Sequence, residues 1–129
     1  MEHNNWQELY NQAVAVCRER QVSEFMYAGS VGAAVLTDAG KIYTGISIDT
    51  ACSIGYCAER NAIGTMLTDG ETTITKIVAV KGTEVIMPCG VCREFMMQLG
   101  GQNRQMEVLT SLNPLKTITL TELIPDYWA

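Results

Sequence analysis

The chain is poor in histidine, in charge and in long apolar runs, and each shortage excludes something. Its one histidine, His3, stands in a polar terminus, and we set it aside as a metal ligand. No apolar run reaches the roughly 18 residues a membrane helix requires, so no spanning segment and no membrane partner are expected. The opening Met1-Glu2-His3-Asn4-Asn5-Trp6 has neither the basic nor the apolar region of a secretory leader. The expected location is therefore cytoplasmic. Basic residues number 9 against 14 acidic ones, for a net charge of −5. That balance excludes duplex nucleic acid as the main partner, because phosphate binding needs a basic footprint. Internal repeats, low-complexity tracts and Pro/Ser-rich linkers are missing too. A length of 129 residues then suits a single domain, 1–129.

Hydrophobic residues make up 47% of the chain, enough to bury a core. Charged residues are only 18%, which favours covering part of the surface in an oligomer. The five cysteines are an odd number in a non-secretory context. Metal binding is favoured over a disulfide framework for any closely spaced pair.

Apolar spacing predicts an amphipathic helix over residues 5–21, with Asn5 as its N-cap. Val31–Thr37 and Lys41–Ile46 are rich in β-branched residues and flank Asp38-Ala39-Gly40, which reads as a hairpin. A second helix starts near Cys57 and ends at Gly70. Thr75–Val80 reads as a short buried strand. A third helix runs from Pro88 to about Leu99, closed by Gly100-Gly101. Glu107–Thr110 and Thr117–Leu120 read as strands. The order α-β-β-α-β-α-β predicts an α/β fold, a mixed sheet with helices on both faces.

Two short stretches carry the chemistry. Cys57-Ala58-Glu59 is followed about thirty residues on by Pro88-Cys89-Gly90-Val91-Cys92. Three thiolates suit Zn²⁺ and leave one of its four tetrahedral positions open. Each cysteine falls at or near a predicted helix N-terminus, where the dipole and free N–H groups favour thiolate. Three thiolates overcompensate the ion's charge, and a nearby arginine would offset the excess. Arg60 and Arg93 both qualify, and Arg60 is preferred. Glu59, two residues from a ligand, can take a proton from water and deliver it to a leaving nitrogen.

Rival readings exist for each part. A C-x-x-C pair also serves structural zinc modules and thiol redox proteins, but neither explains Glu59 beside Cys57. Cys52 could close a four-ligand site. Cys17 falls on the apolar face of the first helix and reads as core. Met87, Met96, Met97 and Met106 read as core or interface filler rather than a copper site.

These residues resemble the zinc nucleoside deaminase signature. With Cys57 where other branches carry histidine, the chain resembles the small three-cysteine cytidine deaminase branch. Val31-Gly32-Ala33-Ala34-Val35, Cys57-Ala58-Glu59-Arg60-Asn61-Ala62-Ile63, Pro88-Cys89-Gly90-Val91-Cys92-Arg93-Glu94 and Leu120-Thr121-Glu122-Leu123-Ile124-Pro125 carry the resemblance. It implies a three-layer sandwich around a five-stranded mixed sheet, one zinc per subunit, and a homotetramer. The implied reaction is hydrolytic loss of ammonia from C4 of a cytosine nucleoside, with Glu59 moving the protons. Backbone around Ala58 and Met87 would hold the base edge. The implied partner is a small nucleoside-like molecule. The acidic balance and the lack of a basic, aromatic-rich segment argue against a polynucleotide substrate.

The chain departs from the family pattern on the sugar side. The family's Asn-x-Glu is Ser47-Ile48-Asp49 here, and both polar side chains are shorter. The segment from Asp49 to Cys57 is one residue short. Gly29 stands near the place of a family aromatic, with Tyr27 close by. A branch that deaminates blasticidin S also departs here and ends in an aromatic tail similar to Asp126-Tyr127-Trp128-Ala129. Tyr127 and Trp128 would either cover the ligand, in their own or a neighbouring subunit, or pack at an interface.

Overall fold

The computed structural model describes residues 2–129, with side chains from residue 5 onward; the His3 side chain lies outside the described residues. In chain order the elements are α1 (Glu2–Val16), β1 (Arg20–Ser23), β2 (Met26–Thr37), β3 (Ile42–Thr50), α2 (Ala58–Thr68), β4 (Ile74–Lys81), β5 (Glu84–Ile86) and α3 (Gly90–Met97). A 3₁₀ turn (Gly101–Gln105), β6 (Glu107–Ser111), β7 (Lys116–Thr119) and α4 (Leu120–Leu123) complete the chain.

The sheet has seven strands where five were expected. Its main ranks are the expected five, in the order β3-β2-β4-β6-β7. The two extra strands are short. β1 lies beside the start of β2, on the edge that β4 occupies further along. β5 pairs with the end of β4, on the edge that β6 takes earlier. Only β4 and β6 run parallel. Short strands of three or four residues carry too little periodicity to read from sequence.

Alternation along the strands builds the three layers. Ala34, Val78, Val80 and Leu109 face α1, against Trp6, Leu9 and Ala13. Val35, Ile77 and Val108 face the other way, against Ala62, Ile63 and Met66 of α2 and Cys92, Met96 and Met97 of α3. Met106 joins the same core, so these methionines are filler as expected.

Several boundaries differ from expectation. α1 stops at Val16, and Asn5 lies inside it rather than capping it. Residues 18–21 are all polar, so a further helical turn would have no apolar face to bury. From Arg20 onward the backbone pairs with β2 instead. α3 begins at Gly90 with Cys89 as N-cap, so Pro88 precedes the helix rather than opening it. Leu120, read as strand, opens α4, because Thr119 and Glu122 form a reciprocal capping box there.

Gly45 sets how close α2 comes to the sheet. A Cβ at that position would stand 2.3 Å from the Ala62 nitrogen and 2.6 Å from the Ala58 carbonyl oxygen. The helix that carries Glu59 therefore rests directly on β3.

Candidate active site

Two helix N-termini meet at one end of the sheet. Cys57 and Cys89 are the N-cap residues of α2 and α3, both in extended backbone conformation. Neither side chain caps its own helix, so each sulfur is free to meet the other. Cys57 Sγ and Cys89 Sγ are 3.5 Å apart, and with Cys92 all three sulfurs lie within 4.8 Å of one another. An ion about 2.3 Å from each sulfur of a tetrahedral set would space them by about 3.8 Å. The cluster fits one zinc. Cys52 is exposed and outside it. Cys17 Sγ rests on the Gly29, Ser30 and Val80 carbonyls at 3.6–3.7 Å, and it packs against the α1 core just past the helix end.

The electrostatics ask for a cation. Burial pushes the Cys57 thiol up, although Arg60 opposes the shift. Burial also pushes Cys92 up, reinforced by the Glu59 carboxylate. Cys89 goes the other way: burial raises it, but the N–H groups of Cys92 and Val91 at the α3 N-terminus, with the Cys57 thiol, bring it below its ordinary value. Three thiols this close do not all ionise without a positive charge among them.

Arg60 and Arg93 take different tasks. Arg60 Nη2 stands 3.6 Å from Cys57 Sγ, and its guanidinium also interacts with Cys92. It is the arginine at the sulfurs, as preferred from the sequence. Arg93 instead donates from Nε to the Pro88 carbonyl at 2.8 Å and from Nη1 to the Leu123 carbonyl at 2.9 Å.

Glu59 is 3% exposed, and its Oε1 lies 3.8 Å from Cys92 Sγ. Burial raises its carboxyl above the usual carboxylate value, against smaller opposing effects from its own backbone, Cys92 and Arg60. A raised carboxyl suits a group that must both accept and return a proton near neutral pH.

A cavity of about 360 Å³ opens onto this cluster. Cys57, Cys89 and Glu59 line it, together with Ser47, Asp49, Ala58 and Met87. Five further lining residues were not expected: Ser30, Val31, Gly55, Tyr56 and Ile86. Hairpin pairing was the available signal for two of them, since Ser30 and Val31 meet Ser47 across β2 and β3. Ser47 Oγ accepts from the Val31 N–H at 3.0 Å and lies 3.1 Å from Ser30 Oγ. Tyr56 is placed by a backbone bridge to Ile48 and receives a 3.3 Å hydrogen bond from Asn61 Nδ2.

Tyr127 and Trp128 do not line the cavity of their own chain. Both hydrogen-bond to Glu94 on α3. Gly29 has a φ of +86°, and a Cβ there would stand 2.1 Å from the Arg18 carbonyl oxygen, so an aromatic could not be housed at that place. Tyr27 does not replace it, because its hydroxyl donates to Glu19 Oε1 at 3.0 Å, away from the cavity.

Comparison with known proteins agrees with this geometry. Residues 3–108 match the family described as the cytidine and deoxycytidylate deaminase zinc-binding region. The chain belongs to that family: it is a zinc-dependent deaminase, a hydrolase with an α/β cytidine deaminase fold. A cytidine deaminase from Sporosarcina psychrophila is 31% identical over 97 residues, covering 74% of this chain and 71% of that one. A blasticidin-S deaminase from Bacillus cereus is 33% identical over 106 residues, 74% of each chain. A match to a Dictyostelium discoideum protein spans only half of that protein's length. The crystal structure of cytidine deaminase from Mycobacterium tuberculosis superposes with a TM-score of 0.79 at 25% identity, covering 97% of this chain and 98% of that one.

Proposed function

We propose that this protein removes ammonia hydrolytically from C4 of the cytosine ring of a nucleoside, with cytidine and 2′-deoxycytidine as first substrates. The observation behind this reading is the buried Glu59 carboxyl beside three clustered sulfurs, with Glu59, Cys57 and Cys89 lining one cavity. Cys57, Cys89 and Cys92 would hold the zinc, with Arg60 offsetting their charge. When bound, zinc supplies the Lewis acidity that makes water nucleophilic at neutral pH. Glu59 would take one proton from the attacking water and deliver it to ring N3 as the water oxygen bonds to C4. It would then take the remaining proton of that oxygen and pass it to the amino group, which leaves as ammonia as the C4–N bond breaks and the C4 carbonyl forms. The backbone at Ala58 and Met87 holds the base edge. Low-dielectric walls from Val31, Ile86 and Met87 strengthen these contacts.

The sugar side favours an uncharged substrate over a phosphorylated one. Among the described residues no lysine or arginine lines the cavity, and Asp49 and Glu59 are both acidic. A nucleotide phosphate would find repulsion and no donor cluster there. This lining supports nucleoside over deoxycytidylate chemistry within the family.

A second reading is favoured by one detail. The Ser47 hydroxyl is already engaged by Val31 and Ser30, which leaves Asp49 as the carboxylate facing the sugar. A cytosine nucleoside without an ordinary ribose, such as blasticidin S, fits that reduced set of contacts. We also place the enzyme in the cytoplasm, in pyrimidine salvage, as a homotetramer. The low charge content and exposed Phe25, Ile54 and Val91 support burial of further surface between subunits. Among the described residues no helix is long and apolar enough to cross a membrane.

Ammonia release from cytidine, deoxycytidine, deoxycytidylate and blasticidin S tests the reading. Turnover of the nucleosides above deoxycytidylate is expected. Turnover of blasticidin S alone would select the second reading, and preference for deoxycytidylate would refute the charge argument.

A further inference from the structure

Resting on the assignment of Cys89 and Cys92 as zinc ligands, we propose that the C-terminal segment Leu123–Trp128 is a brace. Through Arg93 and Glu94 it holds the Pro88–Arg93 turn in the form that binds the metal.

The first tie is Arg93, the residue after Cys92. Its guanidinium reaches back to the Pro88 carbonyl, directly before Cys89, and outward to the Leu123 carbonyl. One planar group thus spans the turn from end to end and anchors it to the C-terminal segment. The fixed fork of an arginine sets both distances at once. The second tie is Glu94. Its Oε2 accepts from Tyr127 Oη at 2.5 Å, Trp128 Nε1 at 3.0 Å and Gln98 Nε2 at 2.6 Å. The Tyr127 ring packs on the core cluster that contains Cys92 and Met96. The Arg104 guanidinium lies 5.3 Å over its other side. Leu123 and Ile124 pack on the same cluster.

Nothing in this arrangement serves a substrate of the same chain. Three donors converge on one carboxylate oxygen, and the tail faces α3 rather than the cavity. Two of the tail's attachment points are the residues that follow Cys92, and Arg104 is a third. Arg93 and Glu94 are positioning residues that act through the ligand turn.

The test uses zinc-loaded full-length protein beside three variants: a chain ending at Pro125, Glu94→Ala, and Tyr127→Phe. Zinc transfer to a chromogenic chelator is followed, and KM and kcat for cytidine are measured in parallel. Residues that orient metal ligands from outside the first layer typically change affinity about 10–100-fold. Zinc release about 10-fold faster from the shortened chain and from Glu94→Ala is expected, with a smaller effect for Tyr127→Phe and KM unchanged. Should the shortened chain fail to fold, the two point variants decide the matter alone. Zinc release equal to the full-length protein would overturn the brace. A raised KM with unchanged release would do so too, and would make the tail a substrate cover. Full-length protein that binds no zinc would instead strike the ligand assignment itself, and the brace with it.

Discussion

Oε1 of Glu59 lies 3.8 Å from Sγ of Cys92, so the proposed proton carrier and a sulfur of the three-cysteine cluster share one buried corner. Replacing the carboxyl should then separate catalysis from metal binding. Glu59→Gln keeps the shape and removes the base. We expect kcat on cytidine to fall about a hundred- to ten-thousand-fold, with zinc content by metal analysis unchanged. Retained activity would refute Glu59 as the proton carrier.

Arg60→Gln removes the positive charge from the sulfurs while leaving the α2 turn intact. Zinc affinity should fall about 10–100-fold, measured by competition with a chelator of known affinity. Arg93→Gln should leave the charge at the sulfurs untouched, since Arg93 binds only the Pro88 and Leu123 carbonyls. Equal losses in both, with the same shift in the absorption of a cobalt-substituted site, would contradict the division of tasks.

Ser47 and Asp49 should respond differently to substitution. Ser47→Ala leaves the part-buried Val31 N–H without its acceptor, which costs about 1 kcal/mol of stability. KM should move little, because the hydroxyl is already occupied. Asp49→Asn should raise KM and leave thermal stability unchanged, since Asp49 is exposed on the cavity wall. Differential scanning calorimetry beside steady-state kinetics distinguishes the two.

The α4 capping box gives a pH signature. Glu122 is held below its ordinary value of 4.5, first by the Thr119 backbone N–H and then by its hydroxyl. A lowered folded-state value means stabilisation that is complete above the unfolded value and fades as pH falls through the folded one. Glu122→Gln should therefore unfold more easily than the parent above about pH 4.5, and the gap should close in stronger acid. Chemical denaturation at a series of pH values measures it. A gap independent of pH would refute the cap's charge contribution.

The catalytic corner was legible because its residues are chemically unusual and closely spaced. Cys57, Glu59, Cys89 and Cys92 announce a metal and a base, and helix periodicity places them at N-termini. The sheet was legible where strands are long and β-branched, as in β2, β3 and β4. β1 and β5 were not, because three or four residues hold no period and owe their pairing to neighbours already in place. The sugar-side wall was half legible. Ser47 and Asp49 stood out by their departure from pattern, but Ser30 and Tyr56 enter the cavity only through strand register and a local bridge. The tail was not decided by sequence, since aromatic residues after a proline look the same whether they cover a ligand or bolt onto a helix. The position of Glu94 shows where the tail docks on its own chain.

The central claim is that water replaces an amino group on the cytosine ring. Turnover of cytidine in heavy-oxygen water, read by mass spectrometry of the product, tests it most directly. Uridine bearing one heavy oxygen at C4, formed in equal amount with ammonia, is the expected result. Absence of any labelled uracil product from every cytosine nucleoside offered to the zinc-loaded protein would contradict it.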